Sequence, residues 1–127
     1  MTADPIQIDC LTSFEEVDYE SWEALWHRDP HAHFYQKYGW YAAWMRHFAP
    51  DESPLILVVR RGDLWLGAAA MIVRVQEPAP LVSRKVLTFL SSFSSAYPLY
   101  QGPLVDPEHE ADVLDAMARA IIERNGF

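Results

Sequence analysis

The sequence is poor in several residue types, and each shortage excludes a class of protein. It contains one cysteine, Cys10, and can form neither an internal disulfide nor a metal site with several thiolates. It has 10 lysines and arginines and 18 acidic residues, and the basic residues are scattered in ones and twos. Because nucleic-acid binding needs a concentrated basic face, we expect no DNA partner.

Long apolar runs and nucleotide-binding motifs are also absent. No apolar run approaches the roughly 20 residues that span a bilayer, and the beginning MTADPIQID lacks the basic region of a secretory signal. We therefore expect no membrane span and a cytoplasmic location. Neither GxxxxGK[ST] nor GxGxxG occurs, which excludes phosphate cradles of those two types.

What remains is the composition of an ordinary globular domain. Half of the 127 residues are apolar or aromatic and 22% are charged. A chain of this length buries about 65% of the surface that it exposes when unfolded. We expect one domain with one core over residues 1–127.

The first third of the chain predicts a strand and a helix. Alternation in IQIDCL predicts a short strand near a sheet edge, in which Cys10 is a small buried residue rather than a nucleophile. Thr12 and Ser13 precede Glu15 and Glu16 at the spacing of a capping box, which predicts a helix to about Arg28. Its buried side should carry three residues: Trp22, Leu25 and Trp26.

The segment HFYQKYGWYAAWMRHF, residues 33–48, is crowded with aromatic and histidine side chains. Gly39 and the extended-looking HAHFYQK argue against a helix that begins earlier, so we place the helix start at Trp40. At 100° per residue, Tyr41, Trp44 and Met45 share one arc, together with Phe48. We interpret the aromatics mostly as packing, with polar residues at the front edge as site candidates.

The middle of the sequence predicts a sheet. LILVVRR, residues 55–61, is a short β-branched run typical of a strand covered on both faces. Gly62 and Asp63 form a turn into LWLGAAAMIVRV, which predicts an antiparallel hairpin. The small residues 67–70 should allow close approach of a helix or another backbone. EPAP, residues 77–80, predicts a loop, and KVLTFL predicts another strand.

The last predicted element is a helix with a well-specified start. Asp106 is the expected N-cap, with Pro107 in the first helical position and Glu108 in the first turn. Its apolar half comprises Val113, Leu114, Met117, Ala118, Ile121 and Ile122. Phe127 then stands alone where a further strand should begin, so we expect that the chain is part of a longer protein.

One cluster has the composition of a metal site. His27, Asp29, His31 and His33 lie close in sequence, but their spacing does not match a ligand set on one helix or strand. We predict loop histidines and no metal. The serines at positions 91, 92, 94 and 95 lack the glycine framing of a nucleophile elbow.

Four segments together carry a family resemblance: FYQKYGW, YAAWMRHF, the hairpin GDLWLGAAAMIVR, and AYPLYQGPLVDPE leading into a helix. Their order resembles the N-terminal half of FemAB-like and BioF2-like (CelD-type) acyltransferases of the GNAT superfamily. The resemblance covers roughly residues 34–127. It implies an α/β (α+β) GNAT-like half-domain, with helices packed on a mainly antiparallel sheet, in a protein of two such halves.

The resemblance also implies a function for the intact protein. This would be transfer of an acyl or aminoacyl group from acyl-CoA or aminoacyl-tRNA to a small polar amine. The half seen here would be inactive alone and hold no cofactor, with the donor bound mainly by a second GNAT-like half. By position, the substrate-binding candidates are Lys37, Tyr100, Gln101 and Asp106. No catalytic base can be named from the sequence.

The chain departs from the GNAT pattern where that superfamily binds pyrophosphate. The crossing into the last helix reads YQGPLVDPE instead of [QR]xxGx[GA]. Pro103 removes an amide donor, and Asp106 and Glu108 place negative charge where phosphate would lie. Donor binding at this helix is therefore disfavoured.

Other interpretations of the sequence remain open. Lys37 could be a solvated cation, Tyr100 a core residue and Asp106 only an N-cap. The chain could be a non-catalytic binding or assembly module that uses exposed aromatics such as Trp65 and an unpaired sheet edge. It could also be a small acetyltransferase completed by a homodimer.

Overall fold

The structure is a computed structural model that describes residues 5–33, 36–48, 51, 53–79, 82–89 and 103–125. For residues 48, 73–79, 82–89, 124 and 125 it describes the backbone alone. The helices are α1 (Tyr19–Arg28), α2 (Tyr38–Phe48) and α3 (Glu110–Asn125). The strands are β1 (Ile6–Leu11), β2 (Ser53–Arg61), β3 (Leu64–Ala79), β4 (Val82–Phe89) and β5 (Leu104–Val105).

The sheet is antiparallel, with the strand order β1-β2-β3-β4. The two-residue β5 pairs with β3 at Gly67 and Ala68, also in the antiparallel direction. The predicted edge position of β1 is confirmed, because within the described residues it pairs with β2 alone. The predicted α+β class with helices on a mainly antiparallel sheet is confirmed at this level.

Strand β2 is covered on both faces, as its continuous apolar sequence predicts. All five residues from Leu55 to Val59 are buried. Ile56 and Val58 face the core beneath α1 and α2, whereas the alternate residues of β2 face the core beneath α3. Among the described residues, the sheet thus lies between two helices on one face and a single helix on the other.

The helix predicted from the capping box is divided into two pieces. A 3-10 turn spans Phe14–Glu16, and Ser13 caps it through a hydrogen bond from the Glu15 N–H to its Oγ. Val17 then adopts an extended backbone, and Asp18 is the N-cap residue of α1. The predicted start was wrong, but the end at Arg28 is confirmed. Trp22 and Leu25 are fully buried, as predicted.

The aromatic segment packs as predicted, although its helix begins two residues earlier. Two indoles of α1 hold the loop that precedes α2. The Trp22 Nε1 donates to the Gln36 carbonyl at 2.9 Å, and the Trp26 Nε1 donates to the His33 carbonyl at 2.8 Å. Gly39 therefore lies in the first turn of α2 and does not interrupt it. Tyr41 and Trp44 are buried against α1 and the sheet, so the aromatics are core.

The hairpin between β2 and β3 is confirmed, and Gly62 has the positive φ of 61° that favours glycine. The register shifts after Val59, so Leu66 has no partner on β2. Such a bulge bends a strand and redirects its side chains. Both Leu66 and its neighbour Gly67 face the α3 side of the sheet.

The small residues of β3 allow the close approach that the sequence predicts. At Gly67, an added Cβ would overlap the Cγ1 of Val113 and lie 3.1 Å from the Met117 Cε. Helix α3 therefore packs directly over the backbone of β3. On the opposite face, Ala68 and Ala70 lie in the core with the residues of α1.

Two sequence expectations on β3 and α3 were wrong. EPAP is not a loop through its whole length, because β3 continues to Ala79 with an irregular register beyond Gln76. On α3, Val113 and Met117 are buried, but Leu114, Ala118 and Ile122 are exposed. A single helix packed on one face of a sheet buries one stripe rather than half of its circumference. None of the described helices combines the length and apolarity needed to cross a membrane.

Candidate functional site at the junction of α1 and α3

Asp106 lies buried where the end of α1 meets the entrance of α3. Its backbone N–H donates to the Leu66 carbonyl at 2.8 Å. Its Oδ1 accepts from the Glu108 N–H at 3.0 Å, and its Oδ2 lies 3.4 Å from the Arg28 Nε. Asp106 is thus an N-cap as predicted, but it caps a 3-10 turn, Pro107–His109, that leads into α3. A carboxylate with these partners fixes the helix entrance and fills the place that an external anion would take.

The bulge in β3 supplies the anchor for this junction. The Leu66 carbonyl accepts from Asp106, and the adjacent Trp65 carbonyl accepts from the Arg28 guanidinium. Trp65 itself is half-buried and packs edge-on against Trp22, so its predicted exposure was wrong. The two carbonyls beside the bulge hold both the end of α1 and the entrance of α3.

Asp29 joins the loop after α1 to β5. Its Oδ1 accepts from the His31 N–H at 2.8 Å, and its Oδ2 accepts from the Val105 N–H at 2.9 Å. The first contact is an Asx turn, which the Asp-Pro sequence favours. The second contact joins positions 76 residues apart in sequence, and no local pattern predicts it.

His109 lies on the other side of Asp106. Its Nε2 is 3.4 Å from the Arg61 Nη1, and its Nδ1 is 3.8 Å from the Asp106 Oδ1. A guanidinium can donate only to an unprotonated ring nitrogen, so the direction of this contact depends on the tautomer of His109. The buried Nδ1 forms no hydrogen bond within the described residues.

A cavity of about 230 Å³ opens beside these residues. Its walls include Asp29 and His31 from the loop after α1, Val105 from β5, and Glu110 and Leu114 from α3. Glu110 and His31 are exposed to solvent. Two carboxylates and one imidazole beside apolar walls suit a small cationic group with a short carbon chain.

Lys37 lies away from this cavity. Its Nζ is 3.5 Å from the Glu23 Oε2 and 4.5 Å from the centroid of the Trp26 ring. These contacts clamp the start of α2 onto α1. No contact joins Lys37 to Asp106, although the structure describes both. Tyr100 and Gln101, the other two predicted substrate-binding residues, lie outside the described residues.

Three residues could each offer one ligand atom to a metal ion. The ligand atoms of Asp106, Glu108 and His109 lie within 4.8 Å of one another, the only such group in the described part of the chain. Both carboxylate oxygens of Asp106 are already engaged by Glu108 and Arg28. We therefore assign no metal to this group.

A separate ion pair lies at the edge of the sheet. The Arg60 Nε donates to the Asp9 Oδ2 at 2.7 Å, and the Arg60 Nη1 donates to the Gly62 carbonyl at 2.9 Å. The hydrogen bond that Arg60 donates to Asp9, together with the negative charge of that carboxylate, raises the pKa of the Arg60 guanidinium above its ordinary value. The pair ties β1 to the hairpin turn and lies far in sequence from the junction.

Comparisons with family models, curated proteins and solved structures found no match to this chain. The site is therefore defined by its geometry alone. The sequence singled out Asp106 as a substrate-binding candidate and Asp29 only as a member of a cluster with the composition of a metal site, and it did not single out Arg28 or Glu110. Asp29 carried one usable signal, its position before Pro30 at the end of a helix. The other two need the tertiary contact between the end of α1 and the segment that precedes α3.

Proposed function

We propose that this chain is the acceptor-side half of a GNAT-superfamily N-acyltransferase, with a GNAT-like fold. Support comes from the element order: a strand, two helices, four strands of which the last has two residues, and a helix. The observation that carries the proposal is the closed entrance of α3, where Asp106 accepts from the Glu108 N–H and pairs with Arg28.

The closed entrance of α3 favours binding of the acyl donor at another place in the intact protein. A helix N-terminus holds phosphate when its first N–H groups are free and its dipole is uncompensated. Here Asp106 takes the Glu108 N–H, and Pro107 has none to give. An acyl-CoA pyrophosphate would meet this buried carboxylate, so the acyl donor belongs on a second half of the intact protein.

The cavity beside Asp106 is the proposed acceptor site. An amine acceptor carries positive charge in water and must come close to carboxylates to be held. Glu110 lies at its exposed rim, while both oxygens of Asp29 are held by backbone N–H groups. The Asp29 carboxylate is therefore fixed in position, whereas the exposed Glu110 side chain can change rotamer to contact a ligand. This combination suits a short alkylamine.

Two titrations of this chain test the proposal. Isothermal titration with acetyl-CoA should give no saturable heat at micromolar concentrations. A nuclear magnetic resonance titration with 1,5-diaminopentane should shift the backbone amides of His31, Val105 and Glu110, with saturation at millimolar concentrations. Glu110→Gln should weaken the diamine by about threefold, the size of one exposed charge contact.

Unexpected results of the two titrations would contradict different parts of the proposal. Micromolar acetyl-CoA binding would show that the donor site is here, whereas an absence of diamine-dependent shifts would remove the acceptor site. Glu123→Gln is the matched control, because Glu123 is also an exposed residue of α3 but lies about two and a half turns beyond Leu114, the last residue of α3 that lines the cavity. It removes the same charge and should leave the diamine affinity unchanged.

One observation favours an assembly module as a second candidate function. Leu114 and Ile122 are 43% and 66% exposed, and with Ala118 they form an apolar stripe along α3. We propose that a second copy of the chain covers this stripe. Light scattering should then show a dimer whose fraction rises with concentration, and Ile122→Lys should shift it to monomer. A wild-type monomer at every concentration would exclude this candidate.

A further inference from the structure

Arg46 stands apart from the other cations of this acidic protein. Six lysine and arginine side chains are described, and five of them contact a partner in the described residues: Arg28, Lys37, Arg60, Arg61 and Arg119. Arg46 is exposed near the end of α2 and has no such partner. With a net charge of −8, an unpaired guanidinium is a ready site for an external carboxylate.

An open groove of about 420 Å³ lies against Arg46, between the 3-10 turn before α1 and one side of α2. Glu15 lines the same groove, and its carboxylate is exposed. No ion pair joins Glu15 to Arg46, although both side chains are described. The groove therefore presents one positive and one negative group that are not neutralised by each other.

The two walls of the groove are fixed relative to each other. The Tyr38 hydroxyl donates to the Phe14 carbonyl at 2.9 Å, which joins α2 to the 3-10 turn. Ser13 accepts from the Glu15 N–H at 3.1 Å, which holds the turn that carries Glu15. The backbone of the two walls therefore needs no ordering when a ligand binds, although the exposed side chains of Glu15 and Arg46 still lose rotamer freedom.

Half-buried apolar side chains line the same groove as the two charges. Tyr38, Ala42 and Met45 line the groove on the α2 side. A ligand that fits has a carboxylate, an ammonium and an apolar group. The volume lies within the range of small-molecule sites.

We propose that this groove binds a free apolar amino acid as its zwitterion. The carboxylate lies at Arg46, the ammonium at Glu15, and the side chain against Tyr38 and Met45. This proposal concerns a different face of α2 from Lys37 and does not rest on the acyltransferase function.

L-Phenylalanine is the probe for this site. A nuclear magnetic resonance titration should shift the amides of Glu15, Ala42 and Arg46 and saturate with a Kd of about 1 to 10 mM, as expected for an open groove. Arg46→Gln and Glu15→Gln should each weaken binding by about fivefold. Arg119→Gln is the control, because it removes an exposed arginine from α3 and should leave the Kd unchanged.

Two analogues separate the two charges. 3-Phenylpropionate lacks the ammonium and should bind more weakly than L-phenylalanine to the wild-type chain, because Glu15 repels it. It should bind more tightly to Glu15→Gln than to the wild-type chain. Equal affinity of Arg46→Gln and wild type for L-phenylalanine would overturn the proposal. So would phenethylamine, which lacks the carboxylate, binding as tightly as L-phenylalanine.

Discussion

Replacing Gly67 by alanine is expected to lower the free energy of unfolding by about 2 to 3 kcal/mol, a large loss for one methyl group. The new Cβ would overlap the Val113 Cγ1 and press on Met117, and Val113 is fully buried with no room to retreat. Relief requires α3 to move away from β3, which weakens the core beneath it. Urea denaturation followed by circular dichroism measures the change.

Gly39→Ala is the matched control for this substitution. A Cβ at Gly39 would meet no atom within 4 Å, and the residue lies in the first turn of α2. Alanine there restricts the unfolded chain and favours the helix, so stability should rise by a few tenths to about 1 kcal/mol. Equal effects of the two substitutions would contradict the close packing of α3 on β3.

The elements that the sequence predicted best are those whose signals are local. The hairpin needs only Gly62, Asp63 and the apolar runs beside them, and β2 needs only its continuous apolar run. The burial of Tyr41 and Trp44 follows from their spacing on one helix. In each case the residues that decide the structure lie within about a dozen positions of one another.

The errors have their origin in contacts between distant segments. Gly39 looked like a helix break because the sequence does not show that the Trp22 and Trp26 indoles fix the preceding loop. The apolar half of α3 looked fully buried because the sequence does not show which side chains of the helix contact the sheet. Leu114 and Ile122 are apolar but exposed.

The candidate site shows the same division. The cap at Asp106 follows from the Asp-Pro-Glu pattern, and the structure contains it. The cavity beside it depends on Asp29 reaching Val105 and on a bulge at Leu66 that holds Asp106. Neither contact produces a periodic pattern in the sequence. The residues themselves can be named from the sequence, but their closeness in space cannot be predicted from it.

Trp22→Ala should be the most destabilising single substitution argued here. Trp22 is fully buried at the centre of the core beneath α1 and α2, with edge-to-face contacts to Tyr41 and Trp65. Truncation leaves a cavity and removes the hydrogen bond to the Gln36 carbonyl. The loss should be about 3 to 5 kcal/mol, out of the 5 to 15 kcal/mol that is usual for a domain.

Two Trp→Phe substitutions separate the hydrogen bond from the cavity. Trp22→Phe retains a buried ring but deprives the buried Gln36 carbonyl of its indole donor, and should cost about 1 to 3 kcal/mol. Trp26→Phe removes the equivalent bond to the His33 carbonyl, where water can replace the indole, and should cost less than about 1 kcal/mol. Thermal and urea unfolding of the three variants give the order. Equal losses for Trp26→Phe and Trp22→Phe would contradict this order. They would show that the exposed hydrogen bond of Trp26 holds the loop before α2 as strongly as the buried hydrogen bond of Trp22.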